Sequence, residues 1–429
     1  MSRFSSLILT AALLCVVVTV AVQAQAPEGG RGQGGPGQQA VTLPEGVGKD
    51  IVQAACTKCH GLNQITGSAG YAREKWQELF AAMIKLPDAQ AATVSQYLAT
   101  HFPAKPGREP VLVGGPVTVT FKEWMVPTLG QRSRDPVQTP DGMIWWAGQY
   151  ASIVGRLNPR TGEMKEYPLP AGTRPHSIIS DRAGTIWYMG NGNGTVGKLN
   201  PATGEITVYP LLDPAARDPH TPMFDRNGIL WFTLQNSNMV GRLNPATGEI
   251  KLVTLPTTRA QPYGMDIDSK GVPWVAYNGS YKVASLDPVT MAVREYPLPD
   301  QRSTVRRVAI TRDDMVWYVN SSLGRLGRLN PTTGEFKEWP SPSGPDTNPY
   351  AIAVVNDVIW YNESRRRPDT LVRFDPKTEK FQSWAIPSGV GTLRHMRATA
   401  DGNNLLIHQT STNRIGLVTI GRTATTSRR

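Results

Sequence analysis

The sequence predicts a mainly β chain in which a seven-bladed β-propeller follows a small all-α domain. Three observations predict it. Tryptophan recurs every 42 to 44 residues from Trp145 to Trp360. Gly 41 and Pro 35 among 429 residues exceed their average combined share of about 12%, which indicates many turns and short strands. Charged residues make up 18% and hydrophobic residues 40% of the chain, a composition that excludes a disordered chain or a charged coiled coil.

The N-terminus is typical of an exported protein. A basic start at Arg3 precedes an apolar run over residues 7–22, and Val22-Gln23-Ala24 offers small residues for cleavage. This predicts a secretory signal peptide over residues 1–24 and a protein of the periplasm or the exterior. The apolar run is shorter than the ~20 residues of a membrane span, so an uncleaved anchor is the lesser alternative. We expect no membrane span after cleavage. We also expect no nucleic-acid partner, and the net charge of +11 is interpreted as a solvated basic surface.

The cysteines predict a covalently bound haem. Cys15 leaves with the signal peptide, and the other two stand in Cys56-Thr57-Lys58-Cys59-His60. A bare pair of this spacing would also suit a redox dithiol or half of a zinc site. No second pair completes a zinc site, and the adjacent His is the mark of c-type haem attachment. Cys56 and Cys59 would bind the haem vinyl groups, and His60 would ligate the iron.

The segment around this motif resembles compact cytochrome c domains. Helices are expected over residues 48–55, 73–85 and from Pro87 onward, which gives a domain over residues 44–103. Met83 is the predicted sixth iron ligand because Met/His ligation is common in electron transfer, and His101 is the rival ligand. Linkers rich in Gly, Gln and Pro are predicted over residues 25–43 and 104–116.

The repeat predicts the propeller over residues 117–420, with a tail over residues 421–429. A period of about 43 residues with strand-like content is typical of propeller blades. Each copy reads as four strands, with an Asp-x-x-Gly turn and an Asn-Pro-x-Thr-Gly turn. The last copy lacks its fourth strand, whereas Phe121-Lys122-Glu123-Trp124 matches Phe336-Lys337-Glu338-Trp339 at the end of a complete blade. The N-terminal strand therefore closes a ring of seven, and the Trp column forms the core between blades.

These repeats resemble the virginiamycin B lyase family. The shared pattern is Pro-His-x-Ile, Asp-x-x-Gly, Leu-Trp-Phe-Thr and Ile-Gly-Arg-Leu, ending in Glu-Tyr-Pro-Leu-Pro. The resemblance implies a seven-bladed propeller. It further implies a carbon–oxygen lyase that opens the ester-linked ring of a cyclic peptide by elimination, with magnesium at the channel mouth.

The resemblance also implies a site on three consecutive blades. The corresponding motifs are Arg174-Pro175-His176, Asp218-Pro219-His220 and Pro262-Tyr263-Gly264. By analogy, His220 would be the general base, His176 and Tyr263 would contact substrate, and Asp218 would bind magnesium. Gln235 stands four residues past Trp231, where the family has Glu, which leaves one carboxylate for the ion. His395 is assigned the same repeat position as His176 and His220, and Glu363 is a further acid at this rim.

Two functions are consistent with this sequence. The first is a magnesium-assisted lyase, or a hydrolase, acting on a cyclic ester or lactone. The second is an electron-transfer or ligand-binding protein, in which the haem carries electrons and the propeller docks a partner or captures a small molecule. A periplasmic electron donor or acceptor would then be the partner, and we expect a monomer. An oxidoreductase that passes electrons from a propeller substrate to the haem is a third option.

The first testable prediction concerns the haem. Because two thioether bonds would hold the cofactor, acid–acetone extraction of the purified protein should leave the haem on the polypeptide. The measurement is the visible spectrum of the extracted protein. Complete loss of the haem into the solvent would contradict covalent attachment at Cys56 and Cys59.

Overall fold

A computed structural model describes residues 41–58, 61–68, 70–390 and 392–422. The predicted signal peptide, most of the first linker, Cys59 and His60 lie outside the described residues. The order of elements is a group of short helices followed by strands only. None of the described helices is long and apolar enough to cross a bilayer.

Four helices form a small domain that precedes the strands. They are α1 (Lys49–Cys56), α2 (Asn63–Thr66), α3 (Arg73–Ala81) and α4 (Asp88–His101). Their apolar faces share one buried cluster that includes Val52, Trp76, Phe80 and Leu98. Helix α3 ends at Ala81, four residues earlier than the sequence predicts, so Met83 lies in the turn that follows.

The strands form seven antiparallel four-stranded sheets. The first strand is β1 (Val117–Met125). Blade 1 contains β2 (Ser133–Gln138), β3 (Ile144–Gly148), β4 (Ile153–Leu157) and β5 (Met164–Pro168). Blade 2 contains β6 (Pro175–Ser180), β7 (Ile186–Gly190), β8 (Thr195–Leu199) and β9 (Ile206–Pro210). Blade 3 contains β10 (Pro219–Phe224), β11 (Leu230–Leu234), β12 (Met239–Leu243) and β13 (Ile250–Thr254).

The remaining blades follow the same order. Blade 4 contains β14 (Pro262–Ile267), β15 (Pro273–Tyr277), β16 (Lys282–Leu286) and β17 (Val293–Pro297). Blade 5 contains β18 (Val305–Ile310), β19 (Val316–Asn320), β20 (Arg325–Leu329) and β21 (Phe336–Pro340). A 3-10 turn, Pro345–Thr347, precedes blade 6, which contains β22 (Pro349–Val355), β23 (Val358–Glu363), β24 (Thr370–Asp375) and β25 (Lys380–Ala385). Blade 7 contains β26 (Met396–Ala398), β27 (Leu405–Gln409) and β28 (Arg414–Arg422).

Strand β1 completes blade 7, as the sequence predicts. It pairs antiparallel with β28 along its whole length, from Val117 opposite Arg422 to Met125 opposite Arg414. The ring therefore closes with β1 as the outer strand of the last blade. The strand continues two residues beyond position 420, where the sequence places the end of the propeller.

The tryptophan column forms the core between blades. Trp145, Trp187, Trp231, Trp317 and Trp360 are almost completely buried. Trp187 donates its indole N–H to Asp181 at 3.0 Å, and Trp231 donates to Asp225 at 3.2 Å. These acids begin the Asp-x-x-Gly turns. The same Asp of each repeat therefore stabilises the turn and accepts the hydrogen bond of the buried indole N–H.

The helical domain is attached to one face of the ring. The Tyr71 hydroxyl donates to the Val390 carbonyl at 2.8 Å, and Arg367 Nε donates to the Tyr71 hydroxyl at 3.1 Å. Gly130 N–H donates to the Ala82 carbonyl at 3.0 Å. Gly130 precedes the first strand of blade 1 and Val390 precedes that of blade 7. The domain therefore lies on the face where the inner strands begin.

The predicted linker over residues 104–116 also contacts the propeller. Val111 N–H donates to Ser343 Oγ at 2.9 Å, and Val113 N–H donates to Ser383 Oγ at 2.8 Å. Arg367 N–H donates to the Arg108 carbonyl at 2.8 Å. These hydrogen bonds hold the segment against blade 6 and thereby limit the position of the helical domain relative to the ring.

Candidate functional site at the channel rim

The first strand of each blade lines the central channel, and we call it the inner strand. The inner strands of blades 1 to 6 carry a register shift near their first residues, as between Pro219 and Pro222. Such a bulge re-aims side chains and increases local twist. The second residues of these strands form the channel rim. They are Arg134, His176, His220, Tyr263, Arg306 and Tyr350.

Three predicted site residues come together at this rim. The rings of His176 and His220 have centroids 3.5 Å apart with an angle of 33° between their planes. The His220 and Tyr263 ring centroids are 4.2 Å apart. His220 Nδ1 lies 2.9 Å from Thr221 Oγ1, which orients the imidazole. Residues about 43 positions apart in sequence are therefore neighbours because they share one position of the repeat.

Burial keeps both imidazoles neutral. The pKa of His176 and of His220 lies well below the ordinary value, first because both rings are buried and then because Arg134 and Arg307 are near. A neutral imidazole has one nitrogen able to accept a proton. His176 Nδ1 is buried without a hydrogen-bond partner among the described residues. The pair is thus in the basic form at neutral pH, as a general base requires.

Tyr350 is a rim residue that the sequence argument missed. Its hydroxyl is hydrogen-bonded to the Tyr263 hydroxyl, and Arg306 lies over its ring at 4.4 Å from the centroid. Burial would raise its pKa, but Arg394, Arg306 and Arg134 outweigh burial and lower it to about 7. Pro349-Tyr350 repeats the Pro262-Tyr263 pattern, so the signal was present in the sequence.

A buried carboxylate and several arginines below the rim were also missed. Asp135 is completely buried. Burial would raise its pKa, but His395, Arg307, Arg134 and His408 outweigh burial and hold it well below the usual range. The nitrogens of Arg307 and His408 that approach it are both 3.8 Å from its oxygens. Arginine at inner-strand positions matched no repeat pattern, which is why no role was predicted for these residues.

Asp218 and Gln235 do not form a magnesium site in this arrangement. Asp218 accepts hydrogen bonds from the backbone and side-chain amides of Asn236, both at 2.8 Å, and from Ser237 Oγ at 3.2 Å. Its carboxylate is therefore used to fix the turn between β11 and β12. Among the described residues no three His, Cys, Asp or Glu side chains are grouped to hold a metal. The residues present do not fit the ion, and magnesium stays a prediction of the resemblance.

Two further rim assignments change in the structure. His395 lies 3.9 Å from Asp135, whereas Arg394 contacts the Tyr350 hydroxyl. In the register of the sheet, Arg394 therefore takes the position of His176 and His220, because the hairpin before β27 is one residue longer. Glu363 is buried and accepts hydrogen bonds from Ser343 and Thr370, so it fixes the turn before blade 6.

The helical domain brings two predicted haem residues to one apolar cluster. Cys56 ends α1 and Met83 follows α3, and both pack partly buried against the core of the domain. These two residues therefore contact the same apolar cluster, while Cys59 and His60 lie outside the described residues. His101 packs on Tyr97 with ring centroids 4.5 Å apart.

Residues 116–286 match the sequence model of the virginiamycin B lyase family. This part of the propeller is virginiamycin B lyase-like. The match is shorter than half of the chain, and it contains His176, His220 and Tyr263. Among curated proteins, none matches the chain.

Solved structures show the same fold. A streptogramin B lyase structure is 24% identical, covers 71% of this chain and 98% of that chain, and has a TM-score of 0.64. Virginiamycin B lyase from Staphylococcus aureus is 22% identical over 70% of this chain and 99% of that chain, with a TM-score of 0.64. A catalytically inactive form of that lyase was solved with Quinupristin. Hydrazine synthase of Kuenenia stuttgartiensis is 13% identical over 70% of this chain and 97% of that chain, with a TM-score of 0.58.

The buried histidines predict how stability depends on pH. The pKa of His176, His220 and His395 is well below the ordinary value, and that of His408 is lowered to about 3. The unfolded chain therefore takes up protons below about pH 6.5 that the folded chain does not. Each histidine should remove about 1 kcal/mol of unfolding free energy per pH unit as the pH falls below that value. Asp266 and Asp369, whose pKa values burial raises to about 6 and about 8, each offset one of these protons.

The measurement is chemical denaturation between pH 7.5 and pH 5.5. His176→Gln should reduce the slope of unfolding free energy against pH by about 1 kcal/mol per unit. His101→Gln, in the helical domain, is the matched control. A profile for the unsubstituted protein that is flat over this range would show that the channel histidines are not held neutral.

Proposed function

We propose that the chain is an exported c-type haem protein whose haem domain is docked beside the channel rim of a lyase-like propeller. In this proposal the haem carries electrons and the rim captures a small ligand. The observation that carries the proposal is the attachment of the helical domain to the face where His176, His220 and Tyr263 lie. A haem domain without a role at the rim would need no fixed position on that face.

The haem would be held by Cys56, Cys59, His60 and Met83. A c-type haem supplies one-electron transfer when bound. The described residues would surround the haem with apolar side chains, among them Trp76 and Phe80, which are buried in the core of the domain. An apolar surrounding favours the less charged iron state, so these residues would also set the potential.

A short route through the protein links Met83 to the rim. Ala82, the residue before Met83, accepts the hydrogen bond of Gly130, and Gly130 is two residues from Arg132 and four from Arg134. Arg394 and Tyr263 are among the groups whose charges shift the pKa of Arg132. The path from the predicted haem ligand to the channel wall therefore crosses one hydrogen bond and then follows the backbone over residues 130–134. This proximity supports electron exchange between the haem and whatever the rim holds.

The docking contact predicts a change in the haem potential. The Arg367 guanidinium donates to Tyr71, a core residue of the helical domain. Removing this positive charge should stabilise the oxidised haem, so Arg367→Gln should lower the midpoint potential by about tens of millivolts. Spectroelectrochemical titration of the full chain measures the potential. The matched control is Arg294→Gln, at an exposed position on blade 4, which should leave the midpoint potential unchanged. If the two variants have equal midpoint potentials, a haem domain is not docked at this face.

A lyase is the second candidate, favoured by one observation. The segment that matches the virginiamycin B lyase family contains the three contacting rings of His176, His220 and Tyr263. In an elimination, His220 would take the proton next to the carbonyl. A carbon–carbon double bond would form as the ester carbon–oxygen bond breaks, and the electron pair would leave on the carboxylate. The neutral state of His220 supports this role.

Quinupristin, which was solved with the inactive lyase of Staphylococcus aureus, is the probe for the lyase candidate. The wild-type protein with magnesium should open its ring, and His220→Ala should lower the rate ~10²–10⁴-fold because the general base is lost. Chromatography separates the linear product from the ring. An intact ring after incubation with wild-type protein would reject the lyase candidate and leave the haem proposal standing.

A further inference from the structure

A chamber of about 440 Å³ lies at the end of the channel away from the helical domain. Its walls come from the inner strands of blades 3 to 7 and from the turns that follow them. The helical domain contacts loops that precede the inner strands, whereas the chamber lies where these strands end. It is therefore at the opposite end of the inner strands from the rim that holds His176, His220 and Tyr263, and Arg307, 5.3 Å from the centroid of the Tyr263 ring, lies between the two. Its volume is within the range of small-molecule sites.

Three side chains that line this chamber carry buried hydrogen-bond donor atoms that have no hydrogen-bond partner among the described residues. Arg307 is 2% exposed and its Nη2 has no hydrogen-bond partner among the described residues. His395 is 7% exposed and its Nδ1 is likewise unpaired. Arg397 lines the wall, and its Nε and Nη2 are both unpaired. Leaving buried donors unpaired is costly, most of all for the two guanidinium groups, so these three side chains around one cavity indicate a ligand that accepts hydrogen bonds.

The carboxylates near the chamber do not satisfy these donors. Asp266 accepts the backbone N–H groups of Ile267 and Ile310, both at 2.9 Å. Asp357, at the mouth, is paired with Arg312 at 2.7 Å. The carboxylates of the chamber wall thus already accept hydrogen bonds or pair with an arginine, whereas the donor atoms named above make no hydrogen bond among the described residues.

Asp135 positions Arg307 without replacing a ligand. It does not line the chamber. Its Oδ2 lies 3.8 Å from Arg307 Nη2 and 3.9 Å from His395 Nδ1, ion-pair separations that are too long for hydrogen bonds, and both Asp135 oxygens have no hydrogen-bond partner among the described residues. Arg307 Nε donates to the Arg394 carbonyl at 2.8 Å. The guanidinium is therefore fixed at Nε, while Nη2, which makes no hydrogen bond, can donate to a ligand in the chamber.

The remaining walls are apolar. Met265, Ile352, Ala353 and Met396 line the chamber beside the polar groups. Guanidinium groups match carboxylates and phosphates through two parallel hydrogen bonds. Methionine side chains adapt to flat apolar groups.

We infer that this chamber binds a small molecule that carries a carboxylate or phosphate group on an apolar body. Arg307 and Arg397 hold the oxyanion, His395 completes its hydrogen bonds, and Met265 and Met396 pack on the apolar part. The inference does not depend on the haem or on the rim, so it can fail or hold independently of the proposed function.

Calorimetry on the full mature protein at low ionic strength tests this inference. The probes are benzoate and phenyl phosphate, which share an apolar ring and differ in the oxyanion, and neutral benzamide is the charge control. At least one anionic probe should bind with a Kd of about 1 mM or tighter, and benzamide should bind at least tenfold more weakly. The tighter of the two anionic probes identifies the oxyanion.

Substitutions of Arg397 and Arg307 test whether the anionic probes bind in this chamber. Arg397→Gln should weaken binding of the anionic probe tenfold or more, because a charge-assisted hydrogen bond is lost. Arg397→Lys keeps the charge and should retain intermediate affinity. Arg307→Gln is the second variant, with thermal unfolding as the check of its fold, and Arg294→Gln is the control. The inference is overturned if neither anion binds up to about 10 mM, if benzamide binds as well as benzoate, or if Arg397→Gln binds like Arg294→Gln.

Discussion

The pairing of β1 with β28 is the interaction on which the molecule depends. Blade 7 draws three strands from the C-terminal end of the propeller and its outer strand from residues that follow the helical domain. Without β1 the last blade would expose the backbone of β28, an open edge that propellers avoid. The same strand leads back through residues 107–113, which are hydrogen-bonded to blade 6. Closing the ring therefore also fixes the position at which the helical domain ends.

The channel combines histidines that stay neutral with arginines that stay charged. Burial disfavours the charged form of every group, yet a guanidinium keeps its proton far more strongly than an imidazole. His176 and His220 therefore serve as acceptors or bases, while Arg134, Arg306 and Arg307 provide positive charge. A field of this sign attracts anions and opposes a divalent cation. The channel thus differs in its electrostatics from a magnesium site, although its rim shares the ring cluster implied by the resemblance.

The fold was predictable because its signals repeat. The period follows from six tryptophans and from the turn motifs that recur with them. The duplicated Phe-Lys-Glu-Trp segment predicts that β1 closes the ring, and the structure confirms it. The cluster of His176, His220 and Tyr263 was predictable for the same reason, since equal repeat positions meet at the channel. His395 was assigned to the rim position that Arg394 occupies, because the longer hairpin before β27 shifts the register by one residue, a difference that spacing from the blade core does not reveal. Asp135 and Arg307 were missed because their role depends on neighbours from other blades.

The closing strand has a consequence for how this architecture can change during evolution. Blade 7 is complete only if the chain from Val117 onward is inherited with the rest of the ring. A recombination event that exchanged the N-terminal domain could therefore leave a closed propeller only if the new junction lay before Val117. Residues 107–113 add a second condition, because a replacement module would also have to lie along blade 6. The module that reaches the rim face is thus interchangeable in principle, but its point of attachment is not.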